Sequence, residues 1–373
     1  MASTTAEQSE TESTVQMIGT LPPWKGIPAY CKEIFEGIDQ QLDRFKFTGW
    51  KRLYPTALYP GGDPKTDTEP VKADNVERKL SWYDPISWIK VGLDSEVELV
   101  HAQWWSYPLA IPYISIFTIC KSRGKQVLLT VHNVEPHEQN VVTRFLNSLV
   151  YRFADEYVVH SETNKSQFSR KEGIDPDRIH VISHPTIGPE PTGVSKAEAL
   201  SELELSPDCN TVLFFGNIRP YKGLSSLIRM IDSINKDHDV ELLVAGKCWG
   251  KWETYDELIQ RLDLGGAVHR YPGFIPETQL EYFFAAADVV ALPYDHFDAQ
   301  SGVAGLANHF ETVSVGYDVG GLAQQVDVVA SDRAAFERLL LDAIAGNIQK
   351  TRVDDDSVDK HLTLYDRLLE DSQ

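Results

Sequence analysis

The sequence predicts an α/β protein made of two doubly wound domains in tandem. Three observations lead there. Strand-like and helix-like segments alternate along most of the chain. A stretch rich in proline and glycine interrupts the alternation near the middle, and the same pattern then restarts. A length of 373 residues also fits two domains better than one.

In the first half, TVQMIGTL (14–21) reads as a strand and GIPAYCKEIFEGI (26–38) as a helix, because Ile27, Tyr30, Cys31, Ile34, Phe35 and Ile38 recur at helical spacing. VELVHAQW (97–104) precedes a helical run over 108–122, whose apolar core LAIPYISIFTIC (109–120) is too short to span a bilayer. QVLLTVHNV (126–134) precedes VVTRFLNSLVYRFA (141–154), and EYVVHS (156–161) and IHVISHP (179–185) are short and β-branched. PTIGPEPTGVS (185–195) holds three prolines and two glycines, which sets a linker over 188–200. Strands follow at TVLFFGNI (211–218), VELLVAGK (240–247), HRYPGF (269–274), DVVALPY (288–294) and VSVGYD (313–318), with a helix at TQLEYFFAAA (278–287). The expected domains are therefore 18–187 and 201–350. The acidic helix SVDKHLTLYDRLLED in the tail 355–373 could pack on either.

Acidic residues outnumber basic ones 55 to 35, for a formal charge of -20. That balance argues against non-specific nucleic-acid binding, which needs a basic footprint. It suits a surface kept soluble by self-repulsion, in a salty (halophilic) cytoplasm or an ordinary one. Cys31, Cys120, Cys209 and Cys248 show no metal or disulfide spacing and read as thiols of a reducing compartment. The N-terminus is polar and lacks a signal-peptide pattern, so 1–17 is expected to be a disordered tail and the protein cytoplasmic.

Polar residues gather at the carboxyl ends of the expected strands: His101-Ala102-Gln103, His132-Asn133, His160-Ser161 and Ser183-His184. Open α/β sheets bind ligands at those ends, so the set points to a lined cleft. The stretch FFGNIRPYKGLSSLIRMID (214–232) begins as a strand and ends as a helix, with Arg219 and Lys222 in the turn. A helix amino end plus two cations suits a phosphate or diphosphate. The turn is neither a Walker loop nor a GxGxxG loop.

GNIRPYKGLSSLI resembles the phosphate-binding segment of family-4 glycosyltransferases of the GT-B architecture. LPPWKGIPAY (21–30), HAQWW (101–105), TVHNVEPHE (130–138), PGFIPETQLEYFFAAADVVALPY (272–294), QSGVAGLANHF (300–310) and SVGYDVGGLAQQV (314–326) resemble further family segments in the same order. The resemblance spans roughly 18–330 and implies two Rossmann-like domains flanking an interdomain cleft. It implies transfer of a hexose from a nucleotide-diphosphate sugar with anomeric retention, in glycan or polysaccharide assembly, without metal or cofactor. GDP-mannose is favoured over a UDP-sugar as donor.

By the same resemblance, Arg219 and Lys222 stabilise the leaving diphosphate, aided by Gly216 at the strand end. Gly26 lets backbone approach the phosphate, and His132 contacts the donor sugar. The N–H groups of Ser301, Gly302 and Val303 hold the distal phosphate, and Phe274 and Ile275 border the base. The family's pair of glutamates eight positions apart falls on Asp298 and Leu306. Asp298 can replace the first; Leu306 cannot replace the second, and Asn308 or Gln300 is left to compensate. That departure keeps open a non-catalytic sugar-nucleotide-binding subunit as an alternative; a sugar-nucleotide epimerase on the same architecture is another.

His101, Glu135, His137 and Glu138 are candidates for the acceptor side. The acceptor is expected to be a saccharide or a lipid-linked molecule. LDRFKFTGWKRLY (42–54) mixes Arg44, Lys46, Lys51 and Arg52 with aromatics, which suits peripheral contact with a membrane face. A strand with snorkelling charges explains the same pattern.

Overall fold

The computed structural model describes residues 14–23, 27–53, 70–134, 141–185, 187–297, 301–351 and 355–371. It divides into two compact units. One takes the chain up to Pro185 and again from Asp356, and the other runs Thr186–Asp355.

The first unit holds a parallel sheet of seven strands: β1 (Thr14–Gly19), β2 (Phe45–Arg52), β3 (Val76–Ser81), β4 (Val97–Trp104), β5 (Gln126–Val131), β6 (Glu156–Val159) and β7 (Ile179–Val181). Their order is β3-β2-β1-β4-β5-β6-β7, so the winding reverses between β1 and β4. Helices α2 (Pro85–Gly92), α3 (Ala110–Ser122), α4 (Val141–Tyr151) and α5 (Glu162–Glu172) cover one face. They pack on alternate strand residues such as Val100, Val127, Leu129 and Val131. The residues between them, Leu99, Leu128 and Val158, face α1 (Pro28–Asp39) and the last helix, α12 (Ser357–Glu370). Both sheet faces are covered, which is why these strands read as nearly unbroken apolar runs.

The tail helix thus belongs to the first unit. Val358 packs against Gly37 of α1, and the Tyr365 hydroxyl lies 2.5 Å from His101 Nδ1. Two expectations are corrected here. Residues 14–17, expected in the tail, form most of β1, because Val15 and Met17 are fully buried. Phe45, Phe47 and Trp50, expected at a membrane face, lie instead in the core along β2 at 4%, 0% and 1% exposure. Lys46 in that strand is paired with Asp94. Tyr54 lies outside the described residues.

The second unit has a parallel sheet of six strands in the order β10-β9-β8-β11-β12-β13. These are β8 (Asn210–Phe215), β9 (Val240–Gly246), β10 (Val268–Pro272), β11 (Val289–Leu292), β12 (Ser314–Tyr317) and β13 (Val328–Ala330). Its helices are α6 (Lys196–Glu202), α7 (Leu224–Ile234), α8 (Glu253–Arg261), α9 (Glu277–Ala286), α10 (Gly302–His309) and α11 (Arg333–Ile344). The expected linker 188–200 is corrected at its end: α6 starts at Lys196, and Ala199 and Leu200 bury against Leu280, Phe283 and Phe284. Just before α6, Glu281 of α9 accepts the N–H groups of Thr192, Gly193 and Val194 at 2.7–3.0 Å.

Two glycines let the second unit's loops close. At Gly223 (φ 76°) a Cβ would sit 2.0 Å from the Pro293 carbonyl oxygen. At Gly246 (φ 141°) it would sit 1.9 Å from that of Gly216. Both neighbours are backbone, so neither can rotate away. Gly246→Ala is expected to destabilise the protein by about 3 kcal/mol or more. A denaturation midpoint within error of the parent would contradict that close approach.

Candidate functional site

The winding of the second sheet reverses between β8 and β11, and their carboxyl ends lead into the two predicted phosphate-binding segments. After β8 the chain passes Gly216 (φ 91°), then Arg219, a single 3-10 turn over Pro220–Lys222, and Gly223 at the start of α7. Leu224, Leu227, Ile228 and Ile231 anchor α7 in the core and so fix the turn in front of it. After β11 comes Tyr294, and α10 starts beyond Ser301.

The two segments meet. The Lys222 ammonium lies 5.2 Å from the centre of the Tyr294 ring. The Tyr294 hydroxyl is 3.3 Å from Ser301 Oγ, which in turn caps α10 by accepting the Ala304 N–H. A Cβ on Gly216 would fall 3.1 Å from Val303 and 3.8 Å from the Lys222 Nζ. Gly216, Lys222, Tyr294, Ser301 and Val303 therefore share one small space at the strand ends.

Lys222 is only 9% exposed. Among the described residues, no carboxylate forms an ion pair with it. Burial, and next the Arg219 charge, bring its pKa down to about 8. Holding it charged at neutral pH costs the fold on the order of 3 kcal/mol. A dry cation with no counter-ion among the described residues, beside the first turn of a helix, is poised to receive an anion. Arg219 is exposed and lies over the Trp249 ring at 4.9 Å, with Lys247 over the same ring at 5.1 Å. Trp249 is itself held by its indole N–H, which donates to Asn217 Oδ1.

Sequence reasoning missed Lys247, Trp249 and Tyr294 as members of this group. The first two follow β9 as Arg219 and Lys222 follow β8, so the strand-end rule pointed to them. Of the three N–H groups expected to hold a phosphate, that of Ser301 is already donated to Gln325 Oε1 at 2.7 Å. Those of Gly302 and Val303, in the first turn of α10, have no place in the intrahelical ladder. Phe274 is 85% exposed in the loop after β10, while Ile275 packs into the core beside it. Leu306 is half-buried and packs in the same core. Asp298 and Gln300 lie outside the described residues, as do Gly26, Glu135, His137 and Glu138.

The polar residues of the first unit lie in the carboxyl end of β4 and just after β5, β6 and β7. His101 is not at an accessible surface: it is fully buried, with Nδ1 at the Tyr365 hydroxyl and Nε2 2.7 Å from Thr130 Oγ1. That removes it from the acceptor candidates and makes it a tie between the sheet and α12. His132 is 8% exposed, with Nε2 2.9 Å from the Gln103 amide. Its Nδ1 is 3.2 Å from His160 Nε2, and His160 Nδ1 donates to the Ile182 carbonyl. Since that carbonyl only accepts, His160 presents Nε2 as an acceptor toward His132. The Tyr30 ring sits edge-on to His132, His160 and His184 at 4.7–5.3 Å. Burial holds His132 and His160 well below the usual histidine range and brings His184 to about 4. The trio is neutral at physiological pH, in contrast to the cationic turn of the second unit.

Two expectations follow from these charges. Lys222→Met should stabilise the protein by about 1–3 kcal/mol at pH 7. The lysine's folded pKa is below its free value, so the penalty is complete below pH ~8 and fades as pH rises toward ~10.5. Melting curves of both proteins from pH 7 to 10 should converge, and parallel curves would contradict the buried charge. For His184 the free chain takes up the proton that the folded chain refuses, so stability is full above pH ~6.5 and falls toward pH ~4. His184→Asn should reduce the slope of stability against pH in that window by about 1.4 kcal/mol per pH unit, measured by urea unfolding.

Comparisons with known proteins agree with this arrangement. The family model "Glycosyl transferases group 1" matches residues 195–361, and "Glycosyltransferase Family 4" matches residues 57–186. A D-inositol 3-phosphate glycosyltransferase from Segniliparus rotundus is 31% identical over 201 residues, covering 50% of this chain and 42% of that protein. The chain spans about half the length of the curated relatives it matches. Sucrose-phosphate synthase from Thermosynechococcus elongatus superposes with a TM-score of 0.64 at 15% identity, over 96% of this chain and 99% of the other. Anabaena HepE in complex with UDP and glucose gives 0.62 at 15% identity, over 95% and 99%. With both units Rossmann-like and each matched by its own model, the chain belongs to the family-4-like glycosyltransferases of GT-B fold.

Proposed function

We propose that this chain is an active glycosyltransferase that takes a hexose from a nucleotide-diphosphate sugar and passes it to an acceptor hydroxyl with retention. The buried Lys222, without a carboxylate partner among the described residues and beside the first turn of α10, carries the reading. As the bond from the anomeric carbon to the diphosphate oxygen breaks, negative charge grows on the leaving group. Lys222, Arg219 and the N–H groups of Gly302 and Val303 take up that charge in place, with no solvent to reorganise. Gly216 leaves room for the phosphates, since any side chain there would press on Val303.

His132 is assigned to the donor sugar, its ring fixed by Gln103 and His160. Asp298 is assigned to sugar hydroxyls, and the exposed Phe274 to the base. Within the reading, GDP-mannose is preferred to a UDP-sugar. The acceptor is a polyhydroxylated molecule, saccharide or lipid-linked. Because the Segniliparus relative is named for D-inositol 3-phosphate, that compound is the first soluble acceptor to try.

The test starts with the donor. GDP, UDP and ADP are screened by thermal shift, and the matching sugar nucleotides are then assayed for turnover. Lys222→Ala should lower kcat/KM by about 100-fold or more while the protein stays folded. Affinity for the nucleotide should weaken as pH rises past ~8, where the free lysine loses its proton. Undiminished turnover in the variant would remove Lys222 from the reaction. An isomerised sugar nucleotide without released nucleotide would indicate epimerisation instead.

A further inference from the structure

The first unit has two helical layers of opposite character. Among the described residues, eight of its large apolar side chains are at least a third exposed, and all belong to the α2–α3–α4 layer or its entrance. On α2 these are Ile86 (63%) and Ile89 (45%), with Leu93 (44%) just beyond its end, at a spacing that aligns them on one stripe. Trp82 and Tyr83 stand at its entrance. Ile111 on α3 is 62% exposed, and Val141 and Phe145 on α4 are 82% and 65% exposed. Single exposed apolar residues are ordinary, but eight on one layer are not.

Charge sets the same layer apart. Helices α2, α3 and α4 contain no aspartate or glutamate, in a chain with 55 acids, and carry Lys90, Lys121 and Arg144. The opposite layer, α1 and α12, carries Glu33, Glu36, Asp39, Asp359, Asp366 and Glu370. Of the acids that flank the three helices, Asp84 caps α2, Asp94 pairs with Lys46 and Asp155 pairs with Lys121, while Glu96 stays 81% exposed. Arg52 reaches the hydroxyl of Tyr83 and adds a cation at the edge.

We infer that the α2–α3–α4 face docks on a lipid bilayer with anionic headgroups. Its apolar side chains enter the acyl boundary while Arg52, Lys90 and Arg144 stay at headgroup level. A formal charge of -20 repels such a surface in most orientations. The three helices without acids approach it with the least repulsion, while α5 on the same sheet face carries Glu162 and Glu172, so charge tilts the docking toward the α2–α3–α4 side. The inference concerns the α2–α3–α4 face of the first unit and does not depend on the reaction assigned to the second.

The test uses the full chain and vesicles. Co-sedimentation is measured with vesicles of mixed phosphatidylglycerol and phosphatidylcholine, and with phosphatidylcholine alone. The parent should partition onto the anionic vesicles several-fold better than onto the neutral ones. The double variant Ile86→Glu, Phe145→Glu should lose about tenfold or more in partition. Its melting temperature and its thermal response to nucleotide should be unchanged, since both residues are exposed. A parent that stays in the supernatant at low salt would overturn the inference, as would a variant that binds as well as the parent. Light scattering covers the rival occupant. A parent dimer that dissolves in the variant, without vesicle binding, would reassign the face to self-association.

Discussion

The second unit is organised around keeping one cation dry. Lys222 cannot be moved outward without opening the turn in front of α7, because Gly223 lies against the Pro293 carbonyl. Among the described residues no carboxylate neutralises it; what lies against it is the Tyr294 ring, the Val303 side chain and the Gly216 backbone. The apolar anchors of α7 supply the stability that this arrangement spends. Such a stored penalty is a recognised trait of sites whose partner arrives later. The tight glycines, the serine cap of α10 and the Gln325 contact with Ser301 all serve to hold that geometry.

The two units share a winding pattern and differ in what their strand ends carry. In the second, cations collect around Trp249 and Tyr294. In the first, imidazoles interlock with Gln103, Thr130, Tyr30 and Tyr365 and give up their charge. One is a receptor for charge and the other is a fixed, uncharged polar surface. The difference comes from residue type at equivalent topological positions, not from any change of architecture.

Much of the architecture was legible because most strands are buried on both faces and most helices have a clean apolar stripe. The missed elements lack those signals. β3, VERKLS, is an edge strand in which three charged residues interrupt the apolar pattern. α2 has only eight residues and exposes isoleucines that a periodicity argument assigns to a core. The aromatic–basic run 42–54 misled in the opposite sense, since its aromatics are interior and its cations reach past the sheet. Within the site, Arg219 and Lys222 were readable from the strand–turn–helix pattern. The burial of Lys222 was not, because it depends on Tyr294 and Val303 arriving from more than seventy residues away. His101 was misjudged because a strand-end position says nothing about a helix that returns from the far end of the chain to cover it.

That return has a consequence for how the molecule is made. The first unit needs α12, yet residues 186–355 are synthesised before it. On the ribosome, the second unit is contiguous and can finish folding while the earlier-made one still lacks a wall. A nascent chain halted before Ser357 would hold a completed second unit joined to a half-covered sheet, with His101 and its neighbours open to water. A helix translated after the whole second unit is thus the one that seals strands made before it.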